Sequence, residues 1–378
     1  MSSGVLPPAP PSPGVGARRK GPKGHVLPTL PLSAFTPPNS GTSEQFPRPP
    51  SPSTIQPEKV IDANVIAPTR DLSRWKKEIG QELNDEKIGG VVINLTGVAP
   101  DAIEKAVAGI SASSTSMPVV GILVPFSLEN GAPDSIPAYL SGSSQPPVIL
   151  ASTYAKSTPK AVEALNWALT NGFSVDLDIQ ANLRDGEGEW EALEDFFANA
   201  IPRSSPIPDA KVFLSVIANL LPPPDDFSLP IVKLLTHPTY QAYQSHTAAL
   251  SLYSNVFIKF LPPVWGTPTP PTPAPTQTTT PSSSDATTPG GASAPSGRDT
   301  TEKKEWKRRI KMYIGPALEA FGFQRIIYGS SPSPLSHSAS NAGDWYELAR
   351  ESFAELGVEQ EGVDAVFYGN AKRAFGLS

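Results

Sequence analysis

Two aspartates and a lysine are the residues of this chain best placed to do chemistry. Asp176 and Asp178 lie two apart in the apolar run FSVDLDI (173–179), so in a strand both side chains share one face. Two neighbouring carboxylates can separate their pKa values and supply one acid and one base. Lys259, in the apolar run NVFIKF (255–260), is a cation that could pair with them. The same two-residue spacing puts Asn64 and Ile66 on one face of VIDANVIAPTR (60–70). Other chemistries have little to stand on. The chain has four histidines, His25, His237, His246 and His337, in no H-x-H or H-x-x-x-H pairing. It has no cysteine, which removes disulfides, thiolate metal sites and a thiol nucleophile. It also lacks the G-x-S-x-G elbow that exposes a nucleophilic serine.

The elements that must position these residues alternate in type. Apolar strand-like runs occur at VVINL (91–95), VVGILVPF (119–126), PPVILAS (146–152) and KVFLSVIANLL (211–221), besides the three already named. Helical patterns separate most of them. TPKAVEALNWALTNG (158–172) has apolar positions at helical spacing and a glycine at its end. PDAIEKAVAGI (100–110) starts with proline, where the missing N–H is harmless. Buried strands separated by single helices predict a parallel sheet, and six or more such units predict a closed (β/α)8 barrel. No strand is followed by a glycine-rich phosphate loop, which counts against a nucleotide-binding open sheet.

Of the 378 residues, 45 are proline, crowded before residue 58 and again over 262–301. Such segments bury too little apolar surface to offset their chain entropy. The expected organisation is a disordered tail over 1–57 and a barrel over 58–378, interrupted by a disordered insertion at 262–301. The PPAPPSP and FPRPPSPS pieces of the tail suit an SH3-like or WW-like partner. Net charge is −6 and the basic residues are dispersed, so no nucleic-acid surface is expected. No apolar run reaches the ~20 residues of a membrane helix, and the N-terminus lacks a signal core. The default expectation is a cytoplasmic protein.

The C-terminal third carries a more specific pattern. ALEAFGFQRIIYGSSPSP, then a helix, then VFYGNAKRAFGL, resembles the end of the amidohydrolase-related family of TIM barrels. There a helix ending in AFG-x-[DE]-R leads into a last strand reading [FWY]-G-S-D-W-P, and the chain closes on G-N-A-x-R-x-[FL]-G-L. Phe321, Gly322, Arg325, Tyr328, Gly329, Ser330 and the run 369–377 match. NVFIKFLPP is similar to the family strand N-V-Y-V-K-L-S-G, and GFSVDLDIQ to G-L-x-F-D-L-Q. VIDANVIAP falls where the family opens with I-D-x-H-x-H.

The resemblance implies hydrolysis, lactone opening or decarboxylation at the C-terminal mouth of the barrel, commonly with zinc-activated water. It also implies metal ligands that this chain replaces. Asn64 and Ile66 stand for the first-strand histidines, Asn219 for a central histidine, and Ser331 for the last-strand aspartate that doubles as base. Serine is neither an anionic ligand nor a base at its ordinary pKa. No cofactor is therefore expected, and zinc only on rearranged ligands, with His337 the best-placed substitute. Asp178, Lys259, Asn64, Asn219 and Ser331 could instead surround a polar pocket near Asp176. Three readings of that pocket stay open: a buried ion pair that holds the barrel end together, a small-molecule site without catalysis, and a metal-free hydrolase or lyase acting on lactones or carboxylated small molecules. Barrels of this kind often pair, so a homodimer is compatible with the reading.

Overall fold

In a computed structural model of the chain, the described residues are 55–80, 82–111, 117–140, 146–183, 187–201, 210–216, 230–265, 268–272, 301–334 and 340–376. They form eight parallel strands in sequence order: β1 (Val60–Ile66), β2 (Ile88–Asn94), β3 (Val119–Pro125), β4 (Val148–Tyr154), β5 (Val175–Ile179), β6 (Val212–Leu214), β7 (Val256–Phe260) and β8 (Ile326–Tyr328). The helices outside are α1 (Ser73–Ile79), α2 (Ile103–Ser111), α3 (Pro159–Thr170), α4 (Glu187–Ala200), α5 (Ile231–Leu235), α6 (Pro238–Leu250), α7 (Thr301–Phe321) and α8 (Ala342–Glu355). This is a (β/α)8 barrel. The strands are nearly continuous in apolar residues because both faces are covered, by helices outside and side chains within.

Local chemistry explains the individual elements. At α3, the Thr158 hydroxyl accepts from the Ala161 N–H at 3.1 Å, and proline takes the first helical position. Ala161, Leu165 and Ala168 face the barrel, and Gly172 follows the helix at φ +82°, a conformation that costs glycine nothing.

β1 and β8 close the ring mainly through side chains. The Asp62 carboxylate accepts from the Ser330 N–H at 2.9 Å and from the Trp75 indole of α1 at 2.8 Å. The Ser331 N–H donates to the Asn64 carbonyl at 2.9 Å, and the Asn64 side-chain amide donates to the Ser331 carbonyl at 2.9 Å.

The matched C-terminal motif has a structural task. The Asn370 amide donates to the carbonyls of Phe323 and Ile326, at 2.6 and 2.7 Å, and so anchors α10 (Asn370–Ala374) beneath β8; it follows α9 (Gln360–Asp364). Phe375 then packs against Phe213, ring centroids 5.2 Å apart, in a cluster with Ile61, Phe257 and Ile327. The lower lumen is a plugged apolar core.

Two expectations shift. Packed chain continues beyond 262, because Pro262, Pro263 and Trp265 are buried and Trp265 meets Trp306 of α7 edge-on at 4.0 Å. The Thr272 N–H donates to Asp344 at 2.6 Å. At the other end, Ile55 is buried and its carbonyl accepts from Arg350 at 2.8 Å, so the domain begins before 58. Within the described part of the 211–221 run, β6 covers Val212–Leu214, and residues 217–221 lie outside the described residues. Residues 1–54, residues 273–300, Asn219 and His337 lie outside the described residues.

Candidate functional site

The C-terminal ends of the strands surround a cavity of about 680 Å³. β1 brings Asn64, β2 Asn94, β4 Ser152, β5 Asp176 and Asp178, and β7 Lys259, while Ser215 follows β6. Each sits where an apolar strand gives way to polar residues at its C-terminal end, the usual place for function in this architecture. The β3–β4 connection adds Phe126, Leu128, Glu129 and Tyr139 as a partly apolar wall.

The polar groups form three sets. In the first, the Thr96 hydroxyl donates to Asn94 Oδ1 at 2.6 Å, Asn94 Nδ2 donates to Asn64 Oδ1 at 3.0 Å, and Asn64 Nδ2 donates to Ser331 O. This chain of amides runs from β2 across β1 to the end of β8. In the second, Lys259 Nζ donates to Asp176 Oδ2 at 2.5 Å, with both side chains buried. Burial pushes the Asp176 carboxyl above its ordinary value; the Lys259 charge and hydrogen bond oppose that, and Asp178 adds to it. In the third, Asp178 accepts from the Ser215 hydroxyl at 2.9 Å and from the Gln180 amide at 3.0 Å.

The sequence-derived candidates divide accordingly. Asn64, Asp176, Asp178 and Lys259 converge on the cavity. Lys259 is paired with Asp176 rather than with Asp178. Ile66 is absent from the cavity wall; it is 36% exposed and lines a separate hollow beside Arg74 and Ser331. The reason is a bulge: Asp62 to Val65 on β1 spans Val91 to Ile93 on β2, one residue too many, so simple alternation fails there. Ser331 lines the same hollow, and its hydroxyl accepts from the Ile66 N–H at 3.0 Å. Asn94, Ser152 and Ser215 were not anticipated. Their signal was a single small polar residue near the end of each apolar run, which also reads as an ordinary strand terminus.

The two described histidines, His237 and His246, are elsewhere. His237 caps α6 by accepting from the Thr239 N–H at 3.3 Å. His246 stacks on Trp190 at 5.1 Å, and its Nδ1 lies 2.6 Å from Glu194.

Asp62 is buried, and burial pushes its carboxyl up, against the hydrogen bonds from Ser330, Asn64 and Trp75. It braces the β1–β8 seam behind the site.

Neither a family model nor a curated protein sequence matches the chain. Solved structures do. An amidohydrolase from Burkholderia multivorans with bound HEPES is 12% identical, with a TM-score of 0.50, covering 85% of this chain and 100% of its own. The zinc-bound form of an amidohydrolase from the same organism is 13% identical, with a TM-score of 0.48 and coverages of 85% and 100%. Amidohydrolase 2 from Bifidobacterium longum subsp. infantis is 14% identical, with a TM-score of 0.46 and coverages of 85% and 99%. The likeness to the first of these structures extends over that neighbour's whole length, and what it shows is the shared barrel fold.

The residues at the mouth do not fit the divalent metal that the sequence resemblance implies. Among the described residues, no three His, Asp, Glu or Cys side chains gather at metal-binding range. Asn64 Oδ1 is committed to Asn94, Ile66 lies outside the wall, and the Lys259 ammonium already sits on Asp176. A protein-borne cation balances that carboxylate where a metal site would need it free.

Proposed function

We propose that this protein is an amidohydrolase-like barrel that has given up metal-dependent hydrolysis and binds a small molecule at the C-terminal mouth. The observation that carries the reading is the Lys259–Asp176 pair, buried at 2.5 Å beneath an open cavity of about 680 Å³. A pair needed only for barrel stability would sit under packed side chains. Here the mouth above it is a cavity of the size that takes a drug-sized ligand, with few convergent polar groups and an apolar wall.

A second reading is a metal-free hydrolase or lyase. It is favoured by the convergence of Asp176, Asp178 and Lys259 on one cavity, which supplies carboxylates and an amine to a bound substrate. Screening the purified full chain against lactones and carboxylated aromatics separates the two. The binding reading expects thermal stabilisation by some ligands without turnover. Turnover that vanishes in Asp178→Asn supports the second reading and overturns the first.

A further inference from the structure

The cavity wall holds a nucleophile that ligand binding alone does not use. Lys259 alternates on β7 with Phe257 and pairs in register with Ile327 of β8. Phe257 and Ile327 both belong to the apolar plug of the lower lumen. The Lys259 side chain therefore points into the lumen, where the plug gives way to the cavity. Asp176 faces the lumen by the same test, in register with Phe213 of the plug. Among the described residues that line the cavity, Lys259 is the one amine, and no histidine or cysteine stands there. Its nitrogen lies 2.5 Å from Asp176 Oδ2, with both groups buried. Burial penalises two separated charges and pushes the Asp176 carboxyl up, against the Lys259 charge and hydrogen bond. Passing one proton across this contact leaves a neutral amine beside a carboxylic acid. A lysine attacks carbonyl carbon in that neutral state.

We infer that Lys259 captures a small aldehyde or ketone as a Schiff base, with Asp176 as the acid–base partner of the condensation. This capture presupposes the ligand-binding mouth proposed above and adds a covalent step to it. Asp176 takes a proton from the Lys259 ammonium, and the freed nitrogen lone pair adds to the carbonyl carbon. The carbonyl oxygen receives a proton from that nitrogen and becomes a hydroxyl. Asp176 then returns its proton to the hydroxyl, which leaves as water while the nitrogen lone pair forms the C=N bond. Carbonyl plus ammonium thus gives iminium plus water, with no oxidant, reductant or outside base. The iminium keeps the positive charge beside the Asp176 carboxylate, so the buried site never holds a charge without its counter-charge. Phe126, Leu128 and Tyr139 offer an apolar and aromatic wall that suits an arylalkyl body on the carbonyl.

The test incubates the full-length protein with benzylacetone and sodium cyanoborohydride, which at neutral pH reduces iminium ions and spares ketones. Peptide mapping by mass spectrometry locates the adduct, whose mass gain is that of the ketone less one oxygen. Label on Lys259 is expected to exceed that on every other lysine by at least about tenfold, because exposed lysines are almost wholly protonated. The double variant Asp176→Asn/Lys259→Met, which replaces the pair by neutral side chains, is expected to lose that excess from the intact-chain mass. Mapping of the unaltered protein carries the test if the variant fails to fold. The alcohol made by reducing benzylacetone cannot condense, and calorimetry with it reads non-covalent occupancy. Label spread evenly over the lysines, or undiminished in the folded double variant, overturns the capture; if the alcohol still binds, the ligand-binding mouth stands. Neither label on Lys259 nor binding of either compound overturns the capture and removes the support for a ligand-binding mouth as well.

Discussion

Replacing Lys259 by methionine is the most revealing perturbation of this barrel. The substitution keeps most of the side-chain volume but deletes a charge whose side chain is 3% exposed, opposite a carboxylate that is 10% exposed and 2.5 Å away. Asp176 is then buried without its counter-charge. Breaking one partner of a buried pair costs roughly 3–5 kcal/mol. The double variant Asp176→Asn/Lys259→Met removes both charges and is expected to recover most of that loss, because well-packed neutral replacements of buried pairs are often close to neutral. pH adds a signed check. In the variant the two contributions that lower the Asp176 pKa, the Lys259 charge and its hydrogen bond, are gone, while burial and Asp178 still raise it. The folded protein then binds a proton that the unfolded chain has released, so stability falls as pH rises from the unfolded value through the folded one. Urea unfolding at about pH 5 and pH 7 should show the single variant nearer to wild type at the lower pH. A single variant within about 1 kcal/mol of wild type at neutral pH, or as unstable as the double, would refute the buried-pair argument.

Further expectations concern the seam, the plug and positions 64 and 66. Asp62→Ala strands the N–H groups of Ser330 and Trp75 in a buried seam and should cost about 2–4 kcal/mol by chemical denaturation. Because burial raises the Asp62 carboxyl, stability should also decline as pH rises from its unfolded value through its folded one, a slope that Asp62→Ala loses. Phe375→Ala opens the lower lumen beside Phe213 and should cost about 3 kcal/mol in the same assay. Installing the first-strand histidines that the sequence resemblance implies, Asn64→His with Ile66→His, should not create tight zinc binding by calorimetry, because Ile66 does not line the cavity.

Much of this architecture was legible in the sequence. The apolar runs were long enough, and regular enough in alternation with helices, to give eight parallel strands, and the C-terminal motif pointed to the barrel type. The period-two spacing of Asp176 and Asp178 placed both on one face, and both line the cavity. Three features were hidden for physical reasons. The bulge in β1 lies in pairing between strands, which no local spacing encodes, so Ile66 was put beside Asn64. The partner of Lys259 depends on strand register and side-chain reach, and either aspartate satisfied the spacing. Trp265 sits in proline-rich sequence whose composition argues for disorder, yet one large indole against Trp306 holds that stretch on the barrel.

The measurement that bears most directly on the central claim is the metal content of the untagged protein after expression in zinc- and manganese-supplemented medium and gel filtration. With Lys259 on Asp176 and Asn64 tied to Asn94, metal should be far below one equivalent per chain. An equimolar metal that survives gel filtration and is lost in Asp176→Ala would contradict the account, and would mean that Lys259 yields its carboxylate to a metal after all.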